Sequence, residues 1–406
     1  MLTGTTYDWT ASLARRTHAG DGGGALADIL ALASSTDVIT LSGGFPAPET
    51  FPVAVLGELT ARLLATDAAV ALQYSPTQGL ASVRDAIAGR LGQREGLRPA
   101  ENELMVTSGG IDGLGLLAKS LLDPGDVVLV EAPTYLGAIM GFSGYEADVR
   151  GIPMDEDGLD VEALAGLLAG GLRPKLLYTI PDHQNPSGRT MSQDRRAALA
   201  VLAQRYGLLV VEDVAYRELS FTDERGTSLW TLAPDTVVQI GTFSKTFFPG
   251  VRLGWAAGPA PLIARMIEAK QNSDQCAGAL GQRLVEEYLR GGHLDRQLTA
   301  SRALYADRCA AMLTALEVTM PGGVTWTMPT GGFFTWLTAP AGTDTTALGR
   351  RAREARVAFV PGVPFYPDGR GQREMRLSFS RVTEQDIHEG VRRLAALLPR
   401  TSEERP

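Results

Sequence analysis

Lys245 lies in the segment GTFSKTFFPGVRLGW, which gathers an amine, the hydroxyls of Thr242 and Ser244, and the guanidinium of Arg252. An amine whose surroundings lower its pKa adds to carbonyls as a Schiff base. Small hydroxyls and an arginine hold phosphate. Pyridoxal 5'-phosphate carries both an aldehyde and a phosphate, so this segment could take both ends of it. The same residues also describe a surface lysine in a Gly/Pro loop, the commoner fate of a lysine.

Other stretches offer the remaining parts. Ser108, Gly109 and Gly110 precede an apolar helical pattern, where free N–H groups and the positive dipole end suit an anion. A plain turn capped by Ser108 reads equally well. Tyr135, closing Glu131-Ala132-Pro133-Thr134-Tyr135, could lie flat on a pyridine ring or be an ordinary half-buried tyrosine. Asn185, in Gln184-Asn185-Pro186-Ser187-Gly188, could donate to a ring hydroxyl oxygen, or serve only a turn. Asp213 ends an apolar run, where an unpaired carboxylate is costly to bury. Paired with a protonated pyridine nitrogen it would keep the ring an electron sink, and Tyr216 could reach the ring oxygen from the same loop. An exposed strand-end acid is the plainer reading.

These stretches share a position. Each follows a short apolar run, at 103–107, 127–130, 175–179, 208–211 and 237–240, with amphipathic helical patterns between. Runs rich in Val and Leu on both faces imply an α/β fold, a mainly parallel central sheet covered by helices on both faces. Ligands of such sheets sit at the carboxyl ends of the strands. From about residue 310 the pattern mixes helix with the strand-like stretches 332–337, 358–360 and 375–380, and a helix near 345–355, as a smaller α+β domain would. The expected division is an N-terminal segment, 1–52, joining the small domain, a large domain over 53–305 and a small domain over 306–406.

The totals exclude several classes. With 44% apolar and 21% charged residues, the composition is that of a globular protein. The net charge of −8 argues against nucleic acid as the main partner. No apolar run approaches the length of a membrane span, and the start has no secretory pattern. Cys276 and Cys309 are too far apart for a CxxC motif, and no metal-ligand spacing is present. A cytoplasmic location is expected.

Taken with Leu41-Ser42-Gly43-Gly44-Phe45-Pro46, Gln73-Tyr74-Ser75-Pro76, Pro329-Thr330-Gly331-Gly332-Phe333-Phe334 and Met375-Arg376-Leu377-Ser378, these motifs resemble the fold type I pyridoxal phosphate enzymes. Within them the chain is similar to class I/II aminotransferases of the 2-aminoadipate/aromatic branch, over nearly its whole length. The resemblance implies Lys245 as the Schiff-base lysine and proton carrier, Asp213 at the pyridine nitrogen, and Asn185 and Tyr216 on the ring oxygen. It implies Ser108, Gly109, Gly110, Ser244 and Arg252 as the phosphate cup and Tyr135 as the stacking aromatic. Arg376 would grip the substrate carboxylate, with Gly44, Asn185 and His183 nearby. Tyr74 would reach into the neighbouring site of a homodimer.

The chain departs from that pattern at Ile111-Asp112, where relatives carry Gln, and at His183, where an aromatic is usual. His183 is an extra acid–base, a polar substrate contact, or a structural histidine bonded to backbone. Residues 24–28 lack the arginine that relatives use for acidic side chains. The leading expectation is transfer of the amino group of a free α-amino acid to a 2-oxo acid. The alternative is β- or γ-elimination, replacement, cyclisation or oxidation with the same cofactor. A third reading, a ligand-sensing domain of a transcription regulator, is disfavoured because no helix-turn-helix pattern precedes Ser42.

Overall fold

The computed structural model describes residues 9–17, 37–222 and 225–399. The described residues form fourteen strands, which in chain order begin with β1 (Ile39–Thr40), β2 (Leu104–Thr107), β3 (Val127–Ala132), β4 (Asp148–Asp155) and β5 (Gly158–Leu159). They continue with β6 (Leu176–Thr179), β7 (Val210–Asp213), β8 (Val237–Thr242) and β9 (Gly254–Ala257). The last are β10 (Thr325–Trp326), β11 (Phe334–Thr338), β12 (Val357–Ala358), β13 (Val360–Pro361) and β14 (Glu374–Ser378).

The large sheet has the order β2-β9-β8-β7-β6-β3-β4-β5. Strands β8, β7, β6, β3 and β4 run parallel, and β2 joins them in direction because it and β8 both oppose β9. Every residue of β2, β6, β7 and β8 is buried. Successive side chains point to opposite faces, so both faces of the sheet are covered. The cover comes from helices that pack among themselves, Gly110–Leu121 with Leu136–Ser143 and Ala260–Gln271, and Gln193–Tyr206 with Val161–Ala169 and Leu229–Leu232. Strands β4 and β9 escape the apolar-run criterion. The first is mostly exposed or half-buried, with Ile152 its one buried residue, and the second is the short sequence GWAA, small residues around one tryptophan.

A second, antiparallel sheet has the order β10-β11-β14-β13. Strand β1 pairs with β12, and the Ser378 N–H donates to Leu41 O at 2.7 Å, which lays Ser42-Gly43-Gly44 beside β14. The boundary expected at 305/306 falls inside an unbroken helix, His293–Thr319, which packs on Glu384–Ala395.

Candidate active site

The carboxyl ends of β2, β3, β6, β7 and β8 lie along one edge of the large sheet. The loops leaving them, with Gly44 and β14, enclose a cavity of about 290 Å³.

At one end the helix Gly110–Leu121 begins, entered through Gly109 at φ +105°. Its first intrahelical bond is from the Gly113 N–H, so the amides of Gly110, Ile111 and Asp112 have no acceptor within the helix. Arg252 stands opposite, donating to Ser244 Oγ (3.3 Å) and Ser108 O (3.3 Å). No carboxylate pairs with it among the described residues. A Cβ on Gly109 would come within 2.8 Å of Arg252 Nη2, so glycine is what lets the guanidinium approach the helix start.

Ser108 does not line the cavity, contrary to its expected place in the cup. Its N–H donates to Asp112 Oδ2 (2.8 Å), and its hydroxyl meets Asp274 and the buried Lys270 ammonium. Lys270 is itself held by Asp112 (2.9 Å) and Asp274 (2.7 Å), so the departure at Asp112 helps pair a buried ammonium with two partly exposed carboxylates behind the cup. Gly109 likewise lies outside the lining and acts as the turn.

At the centre, Lys245 Nζ donates to Gly44 O at 2.9 Å. Burial, then the charges of Arg376 and Arg252, bring its pKa down to about 8, against the pull of Asp213. The neutral nucleophilic amine is therefore present near neutral pH. Attachment of pyridoxal phosphate to the apoprotein is expected to speed up with rising pH and level off near pH 8, followed by absorbance. A rate still climbing at pH 10 would mean an ordinary lysine.

Asp213 is buried, which raises its pKa; the Tyr178 hydroxyl and Ala215 N–H work in the opposite direction. Asn185 follows β6 before a cis peptide bond to Pro186, and its side chain lines the cavity together with Tyr216. Tyr135 faces the same space. The Tyr135 and Asn185 loops are tied by Gln184, whose amide donates to Glu131 Oε2 (2.9 Å) and Pro133 O (2.8 Å).

At the far end, Arg376 is 4% exposed and has no carboxylate partner among the described residues. It donates to Asn185 Oδ1 (2.8 Å) and Ser42 O (2.7 Å), while its buried Nε has no partner. The ring centroids of Phe334 and Phe365 lie 4.3 Å and 5.0 Å from the guanidinium carbon, an aromatic pairing that motif reading missed. Burial takes the Arg376 pKa down to about 10.

Two more expectations need correction or placing. His183 does not reach the cavity. It adopts φ +50°, its Nδ1 meets Thr190 Oγ1 at 3.1 Å, and its ring packs where a Cβ on Gly331 would stand 2.4 Å away. Burial lowers its pKa to about 4, so it is a neutral packing residue beside Asp182, which binds Arg196 and Arg217. Tyr74 is 77% exposed and does not line the cavity of its own chain. Residues 24–28 lie outside the described residues.

The cavity thus presents two unpaired arginines at opposite ends, a depressed lysine between them and a buried carboxylate. Those groups fit pyridoxal phosphate, with Arg252 and the helix start left for its phosphate and Asp213 for its ring nitrogen.

The family model of aminotransferase class I and II matches residues 36–394. The chain belongs to the class I and II aminotransferases. Among the relatives of this aminotransferase, aromatic-amino-acid aminotransferase 1 of Thermococcus litoralis is 41% identical, over 91% of this chain and 89% of its own. The 2-aminoadipate transaminase of Thermus thermophilus is 40% identical, over 91% and 92%. The crystal structure of Pyrococcus horikoshii kynurenine aminotransferase in complex with PMP superposes with a TM-score of 0.92 at 38% identity, over 96% of this chain and 97% of that one. The protein is a pyridoxal-phosphate-dependent transferase, and amino-group transfer, not the elimination or oxidation alternative, is its reaction class. No described helix is long and apolar enough to cross a membrane.

Proposed function

We propose that this aminotransferase takes the amino group of a free α-amino acid with an apolar or aromatic side chain and passes it to a 2-oxo acid. The supporting observation is the charge inventory of the cavity. Its cations are Lys245, Arg252 and Arg376, and Ile111, Leu114, Leu136, Phe334 and Phe365 supply much of the remaining wall. With Arg252 assigned to phosphate and Arg376 to the α-carboxylate, no described cation is left for a second carboxylate. An unpaired side-chain carboxylate in such a wall is costly.

Bound pyridoxal phosphate supplies an aldehyde that amines add to and a ring that takes up electrons from Cα. The chain's part is binding and proton transfer. Arg376 holds the substrate carboxylate through its fork and so fixes which Cα bond stands toward Lys245. Lys245 Nζ removes the Cα proton and later returns a proton. Asp213 keeps a negative charge facing the ring nitrogen. Asn185 and Tyr216 hold the ring oxygen, Tyr135 covers the ring, and Ser244, Arg252 and the Gly110 end of the helix hold the phosphate. A cytoplasmic homodimer is part of the proposal, with Tyr74 completing the neighbour's site. The exposed Val70 and Leu72, just before it in the chain, favour a covered surface.

The test is a half-reaction panel. The pyridoxal form is mixed with phenylalanine, tyrosine, leucine, glutamate and 2-aminoadipate, and conversion to the pyridoxamine form is followed by absorbance. Apolar and aromatic donors should exceed the dicarboxylic ones in kcat/KM by at least about tenfold. Equal or faster reaction of glutamate or 2-aminoadipate would overturn the side-chain assignment.

A further inference from the structure

Asp213 has a neighbour that the strand register puts in place. Tyr178 on β6 pairs with Val211 on β7. Val211 and Asp213 are two apart on one strand, so their side chains and that of Tyr178 share a face. The diagonal separation across such a pair is within reach of a long side chain. The Tyr178 hydroxyl closes it, donating to Asp213 Oδ2 at 2.7 Å, while Oδ1 accepts the Ala215 N–H at 3.0 Å. Tyr178 is fully buried, and its ring meets Phe142 edge to face, 5.9 Å between centroids at 68°. Nothing in that packing requires the hydroxyl except Asp213.

We propose that Tyr178 is a positioning residue for amino transfer: it fixes the rotation of the Asp213 carboxylate and stabilises its ionised form, so the ring-nitrogen proton stays on nitrogen. The inference rests on the reading that Asp213 faces that nitrogen.

A carboxylate on a buried strand end is pushed toward its neutral form, and a neutral Asp213 could not hold a pyridinium. The groups facing it sort by sign. Glu131, another buried acid and one whose pKa Asp213 itself raises, carries like charge and is brought up to about 7, chiefly by burial. Tyr178, the Ala215 N–H and Lys245 favour the ionised form. The help from Lys245 disappears whenever its amine is neutral, which begins near pH 8. Burial drives the Tyr178 phenol well above its ordinary pKa, so it remains a proton donor throughout. Two donors, one on each oxygen, also stop the carboxylate from turning. Without the phenol, Asp213 becomes a stronger base and draws the shared proton off the ring.

The test compares wild type, Tyr178→Phe, Phe142→Leu and Asp213→Asn, each loaded with cofactor labelled with ¹⁵N at the ring nitrogen and read by NMR. Tyr178→Phe should move the resonance toward the unprotonated position and lower kcat about ten- to a hundredfold, with KM changed about twofold or less. Phe142→Leu, which loosens the same ring but leaves the hydroxyl, should keep the resonance in place. If Tyr178→Phe fails to fold, 3-fluorotyrosine at position 178, a stronger donor of nearly the same shape, should move the resonance the opposite way. A resonance that moves in Asp213→Asn but stays fixed when residue 178 is changed would overturn the role of Tyr178 alone. One that moves in neither would overturn the placement of Asp213 as well. An equal shift in Phe142→Leu would reduce the effect to packing and overturn the proposal.

Discussion

Lys245→Ala will lower turnover by about 10⁴-fold or more, because one side chain serves as both the attachment point and the proton carrier. Cofactor binding should survive. The phosphate end is built from Arg252, Ser244 and the start of the helix Gly110–Leu121, none of which bonds to Lys245. Borohydride treatment, which fixes the cofactor to the wild-type chain, should then leave the variant's mass unchanged. Folding should survive too. The pKa near 8 means that a charged Lys245 is disfavoured in the folded protein relative to an unfolded one. A group whose folded pKa is lowered in this way opposes folding once pH falls below its unfolded value, so its removal relieves a penalty at neutral pH. A variant with a melting temperature at or above that of wild type, bound cofactor and no turnover is the expected result. Turnover within about tenfold of wild type would refute the assignment.

The sequence disclosed the site better than its supports. Lys245, Asn185 and Asp213 were legible because Asp213 ends an apolar strand and the other two stand in the polar, turn-rich loops that follow one, where ligands of such sheets sit. Tyr178 was not, since it sits within LLYT and reads as core. Its function depends on which strand lies beside β6 and in which register, neither of which a single sequence carries. Ser108 and His183 failed for a related reason. Both stand within two residues of true lining groups, but Asp112 and Lys270 turn Ser108 away, and a left-handed backbone turns His183 under Gly331. Chain proximity is a poor guide where a loop reverses direction. The aromatic pairing on Arg376 shows the same limit over a longer span, because Phe334 and Phe365 come from separate elements.

Arg376→Leu will cut kcat/KM for amino acids by about 30-fold to several thousandfold, the range spanned by removing one partner of a buried, hydrogen-bonded charge pair. The size follows from the surroundings. Arg376 is stripped of water, has spent two N–H groups on Asn185 and Ser42, and keeps Nε unsatisfied. Burial has already drawn its pKa toward 10, so an incoming carboxylate restores what desolvation took away. That gain belongs to substrates with a carboxylate and to no others. An amino acid and the amine that lacks its carboxyl group should therefore be compared side by side. Leucine against isopentylamine will lose most of its advantage in Arg376→Leu. Arg376→Lys should recover part of it, because a lysine keeps the charge but not the planar fork. The loss of the Asn185 partner complicates the reading, since it can disturb the ring oxygen and slow both substrates. Such damage scales the two rates together and leaves their ratio unchanged. A ratio as large as that of wild type would therefore show that the carboxylate is held elsewhere, whatever the absolute rates become.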